Sequence, residues 1–134
     1  MSDRPSVTYV VRVEWSDTDA AGHHHNTAVT RFVEAAEAAL TRERGLTGYF
    51  GSAPRVRYEV EFEQRLYFGQ QVTVMLNVEA IGTSSMTFGF EVWGEEFDGR
   101  PRRRAARGRY VTVHVPLGED RSRPWPTSWI AALS

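Results

Sequence analysis

Between about Thr27 and Arg44 the chain changes its period. Val29, Phe32, Val33, Ala36, Ala39 and Leu40 recur at three- and four-residue steps, with Arg31, Glu34, Arg42 and Glu43 mostly on the other side. That is the pattern of a helix with one apolar stripe. Asn26 or Thr27 is the expected N-cap, and Gly45 stands where a C′ glycine ends a helix. Most of the remaining chain alternates instead. Val7, Tyr9, Val11, Val13 and Trp15 share one parity against Thr8, Arg12 and Glu14, so residues 7–15 read as a half-buried strand. Val56, Tyr58, Val60 and Phe62 oppose Arg55, Arg57, Glu59, Glu61 and Glu63 in the same way. Further strands are expected at roughly 70–81, 84–97 and 104–115. Phe68-Gly69-Gln70, Gly82-Thr83-Ser84 and Asp98-Gly99-Arg100-Pro101 mark the turns, and the Asp-Gly pair is the strongest hairpin signal.

Every element then has one face to bury. A single antiparallel sheet of about five strands wrapped around one long helix satisfies them all, an α+β fold in one domain over residues 1–134. The core is expected at about 6–115. Residues 116–134, with Pro116, Pro124 and Pro126 around Trp125 and Trp129, show no clear period and are expected to form an irregular tail lying loosely on the surface. One helix cannot cover every sheet edge, so association through an edge strand is expected.

Composition narrows the partners. A chain of 134 residues fits one domain, and a net charge of −1 provides no global basic field for nucleic acid. No apolar run approaches the roughly 20 residues of a membrane span. Cysteine is absent, which excludes disulfides and thiol catalysis. The opening Met-Ser-Asp-Arg-Pro has neither the basic nor the apolar region of a signal peptide, so a cytoplasmic location is expected. All sixteen cations are arginine, and Arg100, Arg102, Arg103, Arg104, Arg107 and Arg109 crowd one stretch. They form either the solvated face of a hairpin or a site for a phosphate-bearing ligand.

The densest chemistry lies from Trp15 to Asn26, between the first strand and the helix. Asp17, Asp19, Gly22, His23, His24, His25 and Asn26 precede a helix start, where the first backbone N–H groups lack partners. By residue type alone, Asp19 is a turn or capping aspartate or a catalytic carboxylate. The histidines are hydrogen-bonding loop residues or, with an aspartate, metal ligands.

Asp17-x-Asp19-x-x-Gly22-His23-x-x-Asn26, leading into Arg31-Phe32-x-Glu34-x-Ala36, resembles the 4-hydroxybenzoyl-CoA thioesterase branch of the hotdog-fold thioesterases. Tyr58-Glu59-Val60-Glu61-Phe62 through Leu66-Tyr67-Phe68-Gly69-Gln70-Gln71-Val72 and Ala105-Ala106-Arg107-Gly108 resemble the same branch, up to about residue 115. The resemblance implies a hotdog fold, hydrolysis of an acyl-CoA or acyl carrier protein thioester, and a site shared between subunits of a homodimer or homotetramer. It implies Asp19 as nucleophile or general base. The N–H groups around His25, Asn26 and Thr27 form the expected oxyanion site. Gly22 is expected to allow close backbone approach, and His23 to orient the loop or the thioester. Asp17 is expected to order the loop, and His24 to be exposed or specific to this branch. No cofactor and no metal are expected, and neither nucleic acid nor membrane is an expected partner. Two positions depart from the branch. Val29 stands where a tyrosine is frequent. Gly82-Thr83-Ser84-Ser85 replaces a turn that often carries Arg or Lys for CoA phosphates, leaving Thr83, Ser84 and Ser85 as hydrogen-bonding groups for the carrier. Glu34 and Glu37 read as surface or interface pairs, the alternative being the helix carboxylate that serves as catalyst in a different branch of the superfamily. A hydroxyacyl-thioester dehydratase and a non-catalytic acyl-thioester binding module are the alternatives.

Overall fold

Each alternating stretch becomes a strand of one antiparallel sheet, and the 3.6-period stretch becomes the helix packed on it. The computed structural model describes residues 4–19, 24 and 26–134. Its elements are β1 (Ser6–Arg12), a 3-10 turn (Trp15–Asp17), α1 (Asn26–Glu43), β2 (Arg55–Phe62), β3 (Gln71–Ile81), β4 (Ser85–Gly94), β5 (Arg103–Val113) and α2 (Thr127–Ala132). The strands lie in the order β1-β3-β4-β5-β2, every neighbouring pair antiparallel. This is the expected α+β hotdog arrangement, with β1 and β2 at the edges.

The α1 stripe accounts for the packing. Val29, Phe32, Val33, Ala36 and Leu40 are buried in one core with Val72, Val74, Leu76, Val78, Met86 and Phe88 of the sheet. Each large apolar side chain so buried contributes about 1.5–3 kcal/mol. The helix ends as expected in a left-handed glycine, Gly45 at φ +72°. The Leu46 N–H bonds to the Thr41 carbonyl at 2.9 Å and the Gly45 N–H to that of Arg42 at 3.1 Å, which satisfies two terminal acceptors. The β4–β5 hairpin is equally direct. Asp98 and Gly99 both take positive φ, 52° and 81°, and Phe97 and Arg100 exchange hydrogen bonds of 3.0 and 2.8 Å across them.

A second glycine is required by close approach. A Cβ at Gly108 would stand 2.0 Å from the Glu59 carbonyl oxygen of the paired strand β2. That oxygen belongs to backbone and cannot swing away. Gly108→Ala is therefore expected to destabilise the protein by about 3 kcal/mol, the upper part of the overpacking range. A fall in the denaturant midpoint checks it.

Three expectations need correction. The first strand stops at Arg12, and Trp15, expected on its apolar face, is 69% exposed in the 3-10 turn. The Asp17 carboxylate accepts the Glu14 N–H at 2.8 Å and turns the chain out of the sheet. The tail is not loose. Trp125 and Trp129 are buried, and residues 127–132 form α2. Trp125 donates its N–H to the Thr83 carbonyl and its indole N–H to that of Ser85, both at 3.0 Å. The two indoles pack with His114 and Tyr49 and close one end of the core. Six helical residues are too few to display a period.

Glu37 is the third correction. It is only 1% exposed, because it lies four residues after Val33 and three before Leu40, on the buried stripe. Arg55 Nη2 donates to its Oε1 at 2.5 Å, and the Tyr49 hydroxyl donates to its Oε2 at 3.1 Å. Burial pushes the Glu37 carboxyl above the ordinary glutamate range, and the neighbouring Arg55 guanidinium opposes this.

Candidate active site

The end of β1, the start of α1, the loop between β2 and β3, and the β4–β5 hairpin meet at one end of the sheet. Asp17 organises this junction. Arg31, on the first turns of α1, donates Nε to Asp17 Oδ1 at 2.7 Å and Nη2 to Oδ2 at 2.5 Å. Such a bidentate pair is among the stronger polar contacts, and the Asp17 hydrogen bond raises the Arg31 pKa despite burial. With the Glu14 N–H also on Oδ2, both oxygens of Asp17 are engaged in positioning the loop.

His24 clips the loop from its other side. Its N–H donates to the Leu66 carbonyl and its Nδ1 accepts the Leu66 N–H, each at 3.0 Å, while Thr18 and His24 form an antiparallel bridge. The ring is half-buried against Phe62, 6.4 Å between centroids, and not exposed as expected. Nδ1 is occupied as an acceptor, so this imidazole positions the loop and offers no free base at that nitrogen.

These contacts frame a cavity of about 640 Å³, within the usual range for small-molecule sites. Asp19 and Asn26 share its wall with Phe62, Tyr67, Arg65, Arg100 and Arg103. Asn26 is the first residue of α1 and so stands inside the helix, one position past an N-cap, and its N–H is among the four that a helix start leaves without an intrahelical partner. Thr27 follows on the exposed side and does not line the cavity. Gly22, His23 and His25 lie outside the described residues.

Thr83, Ser84 and Ser85 are at the other end of the molecule. They form the β3–β4 turn, and ten-residue β4 separates them from Gly94 on the cavity wall. At about 3.3 Å per residue that is on the order of 30 Å. All three carbonyls are hydrogen-bonded locally, those of Thr83 and Ser85 to Trp125 and that of Ser84 to the His114 N–H. Within one chain they do not meet Asp19.

The structure also divides the arginine run. Arg102 pairs with Glu95 at 2.8 Å, Arg104 with Glu63 at 2.7 Å, Arg107 with Glu61 at 3.0 Å and Arg109 with Glu79 at 3.5 Å. Arg104, Arg107 and Arg109 line, with Glu61, Glu79 and Glu91, a shallow hollow of about 560 Å³ on the sheet face opposite α1. Arg100 and Arg103 instead face the Asp19 cavity, joined there by Arg65. The sequence left open a solvated hairpin face and a phosphate site, because which cations escape pairing depends on the partner strands. Phe62, Tyr67 and Arg65 carried no site signal of their own in the sequence beyond the motif they sit in.

Among the described residues no cluster of three histidine or acidic side chains is arranged for a metal, and no helix is long and apolar enough to cross a membrane.

One helix on a five-stranded antiparallel sheet, with an aspartate loop at the helix start opening into a cavity, defines the hotdog class of thioesterase folds. The chain belongs to the thioesterase-like superfamily, whose pattern matches residues 13–133 and so extends through the tail. No curated protein matches it significantly in sequence. Among solved structures, a predicted thioesterase from Bacillus stearothermophilus is 29% identical, with 96% of this chain and 93% of that one covered at a TM-score of 0.80. The 1,4-dihydroxy-2-naphthoyl-CoA thioesterase from Synechocystis is 21% identical, covering 96% and 95%, with a TM-score of 0.82. The 4-hydroxybenzoyl-CoA thioesterase from Pseudomonas sp. strain CBS-3 is 20% identical, covering 96% and 99%, with a TM-score of 0.84. The last two share the fold.

Proposed function

We propose that the protein hydrolyses an acyl thioester of CoA or of an acyl carrier protein, acting in the cytoplasm as a homodimer or homotetramer, with Asp19 as the catalytic carboxylate. One observation carries this reading. Asp19 and the first residue of α1 lie on the wall of the same cavity, while Asp17 has both oxygens committed to Arg31 and the Glu14 N–H.

Asp19 either attacks the thioester carbonyl carbon, forming a mixed anhydride that water then cleaves, or removes a proton from an attacking water. In both routes the carbonyl oxygen becomes an oxyanion and the C–S bond breaks to release the thiol. The N–H groups of His25 and Asn26 stabilise that oxyanion as fixed dipoles, each such donor worth about 3 kcal/mol of barrier. Gly22 and His23 shape the approach of the thioester. Subunits associate through the edge strand β2, where Phe62, a cavity residue, is 45% exposed and Val56 is also exposed.

A panel of acyl-CoA and acyl carrier protein thioesters, followed by a thiol reagent and by product analysis, tests the reaction. Free thiol and free acid are expected in equal amounts. An unsaturated acyl product without thiol, or binding by calorimetry without turnover, would overturn hydrolysis in favour of a dehydratase or a binding module.

A further inference from the structure

We infer that Arg65, Arg100 and Arg103 form the phosphate subsite for the nucleotide end of a CoA thioester, in the same cavity as Asp19. This rests on the thioester reading above and deepens it. The run of arginines is sorted by its partners. Four of them, Arg102, Arg104, Arg107 and Arg109, are each held by a carboxylate. Arg65 and Arg103 have no carboxylate partner among the described residues, and Arg103 donates only to the Gln64 side-chain oxygen at 3.2 Å. Arg100 keeps a long 3.9 Å contact to Asp98, and its guanidinium lies 4.0 Å from the centre of the Tyr67 ring. Glu63, the other acid of the cavity wall beside Asp19, is already drawn to Arg104, whose hydrogen bond lowers the Glu63 pKa.

Three guanidiniums from three segments thus converge on one cavity, supplied by the β2–β3 loop, the β4–β5 hairpin and the start of β5. One carboxylate on an acyl group would satisfy a single fork. A diphosphate with a further phosphate offers each guanidinium its own anionic partner, and arginine is suited to that geometry. The β3–β4 turn is unsuited to the task in this chain. It carries hydroxyls in place of cations, and the C-terminal segment is bound to its carbonyls.

The test compares the CoA thioester with the pantetheine thioester of the same acyl group, which lacks the nucleotide, in Arg65→Gln and Arg103→Gln. Each variant is expected to raise KM for the CoA thioester about tenfold, the usual cost of one charged hydrogen bond. The kcat is expected to stay within about twofold, since these contacts are the same before and during reaction. The pantetheine thioester is expected to respond equally to wild type and variants, and Arg107→Gln, on the opposite sheet face, to behave as wild type with both. Adenosine 3′,5′-bisphosphate is measured separately by calorimetry, with binding expected in wild type and weakened in both variants. Equal losses on the two thioesters, or unchanged KM for the CoA thioester, would overturn the subsite while leaving hydrolysis in place. Turnover confined to carrier protein thioesters, with no bisphosphate binding, would overturn it too. Bisphosphate binding that both variants weaken, in a protein that releases no thiol, would retain the subsite and remove the hydrolase reading.

Discussion

Asp19→Asn is expected to lower kcat for thioester hydrolysis by about 10²–10⁴-fold, the range for loss of a positioned base, and by more if the carboxylate is the nucleophile. KM is expected to change little, because an amide of the same shape leaves the cavity walls intact. Asp19 is exposed, so the melting temperature is expected to stay near that of wild type. The discriminating comparison is Asp17→Asn. Its carboxylate is buried under Arg31, so this variant is expected to lose stability together with activity. Unaltered turnover in Asp19→Asn would remove Asp19 from the mechanism.

Arg55→Met is expected to destabilise the fold by about 3 kcal/mol at neutral pH, the lower end for stripping a partner from a buried ion pair. The lower end applies because the Arg55 side chain is 23% exposed while that of Glu37 is 1% exposed. Removing the guanidinium leaves Glu37 with the Tyr49 hydroxyl but no counter-charge, so its already raised pKa rises further. The native state then binds a proton more tightly than the unfolded chain does. Stability consequently falls as pH rises from the ordinary glutamate value of 4.5 through the raised native value. Below 4.5 the carboxyl is protonated in both states and the penalty specific to the lost charge disappears. Thermal unfolding of wild type and variant from pH 4 to pH 8 measures this as a gap that widens with pH. Adding Glu37→Gln to Arg55→Met is expected to flatten the profile, since the amide still accepts from Tyr49 and carries no charge. A pH-independent gap in Arg55→Met would show that Arg55 acts by packing over the Tyr110 ring, 4.8 Å away, and not through Glu37.

The elements themselves were readable because local rules and tertiary needs agree. The stripe from Val29 to Leu40, the Gly45 cap and the Asp98-Gly99 hairpin all occur where period and turn chemistry predicted them. Motif and position also pointed at the loop holding Asp17 and Asp19, and the expectation that Asp17 orders it agrees with the Arg31 fork. Misreadings arose where residue type and position disagreed. Glu37 looks like a surface residue by type, yet helical geometry puts it in the core, and its partner Arg55 is delivered from another element only by folding. Trp125 and Trp129 sit in a stretch with too few residues per element for any period to emerge. The positioning role of His24 was not legible, because its two bonds to Leu66 cross 42 residues of sequence.

By itself the sequence determined which segments are helix or strand, which face of each is apolar, and which loop concentrates reactive groups. Those properties repeat over distances of a few residues, so local geometry is enough to state them. The tertiary structure alone decided that Arg100 and Arg103 face the Asp19 cavity while Arg102, Arg104, Arg107 and Arg109 are neutralised, and that Thr83, Ser84 and Ser85 lie a strand's length away. A charge's availability depends on the carboxylates opposite it, and those come from strands distant in the chain whose order and register are set by the packing of the whole sheet.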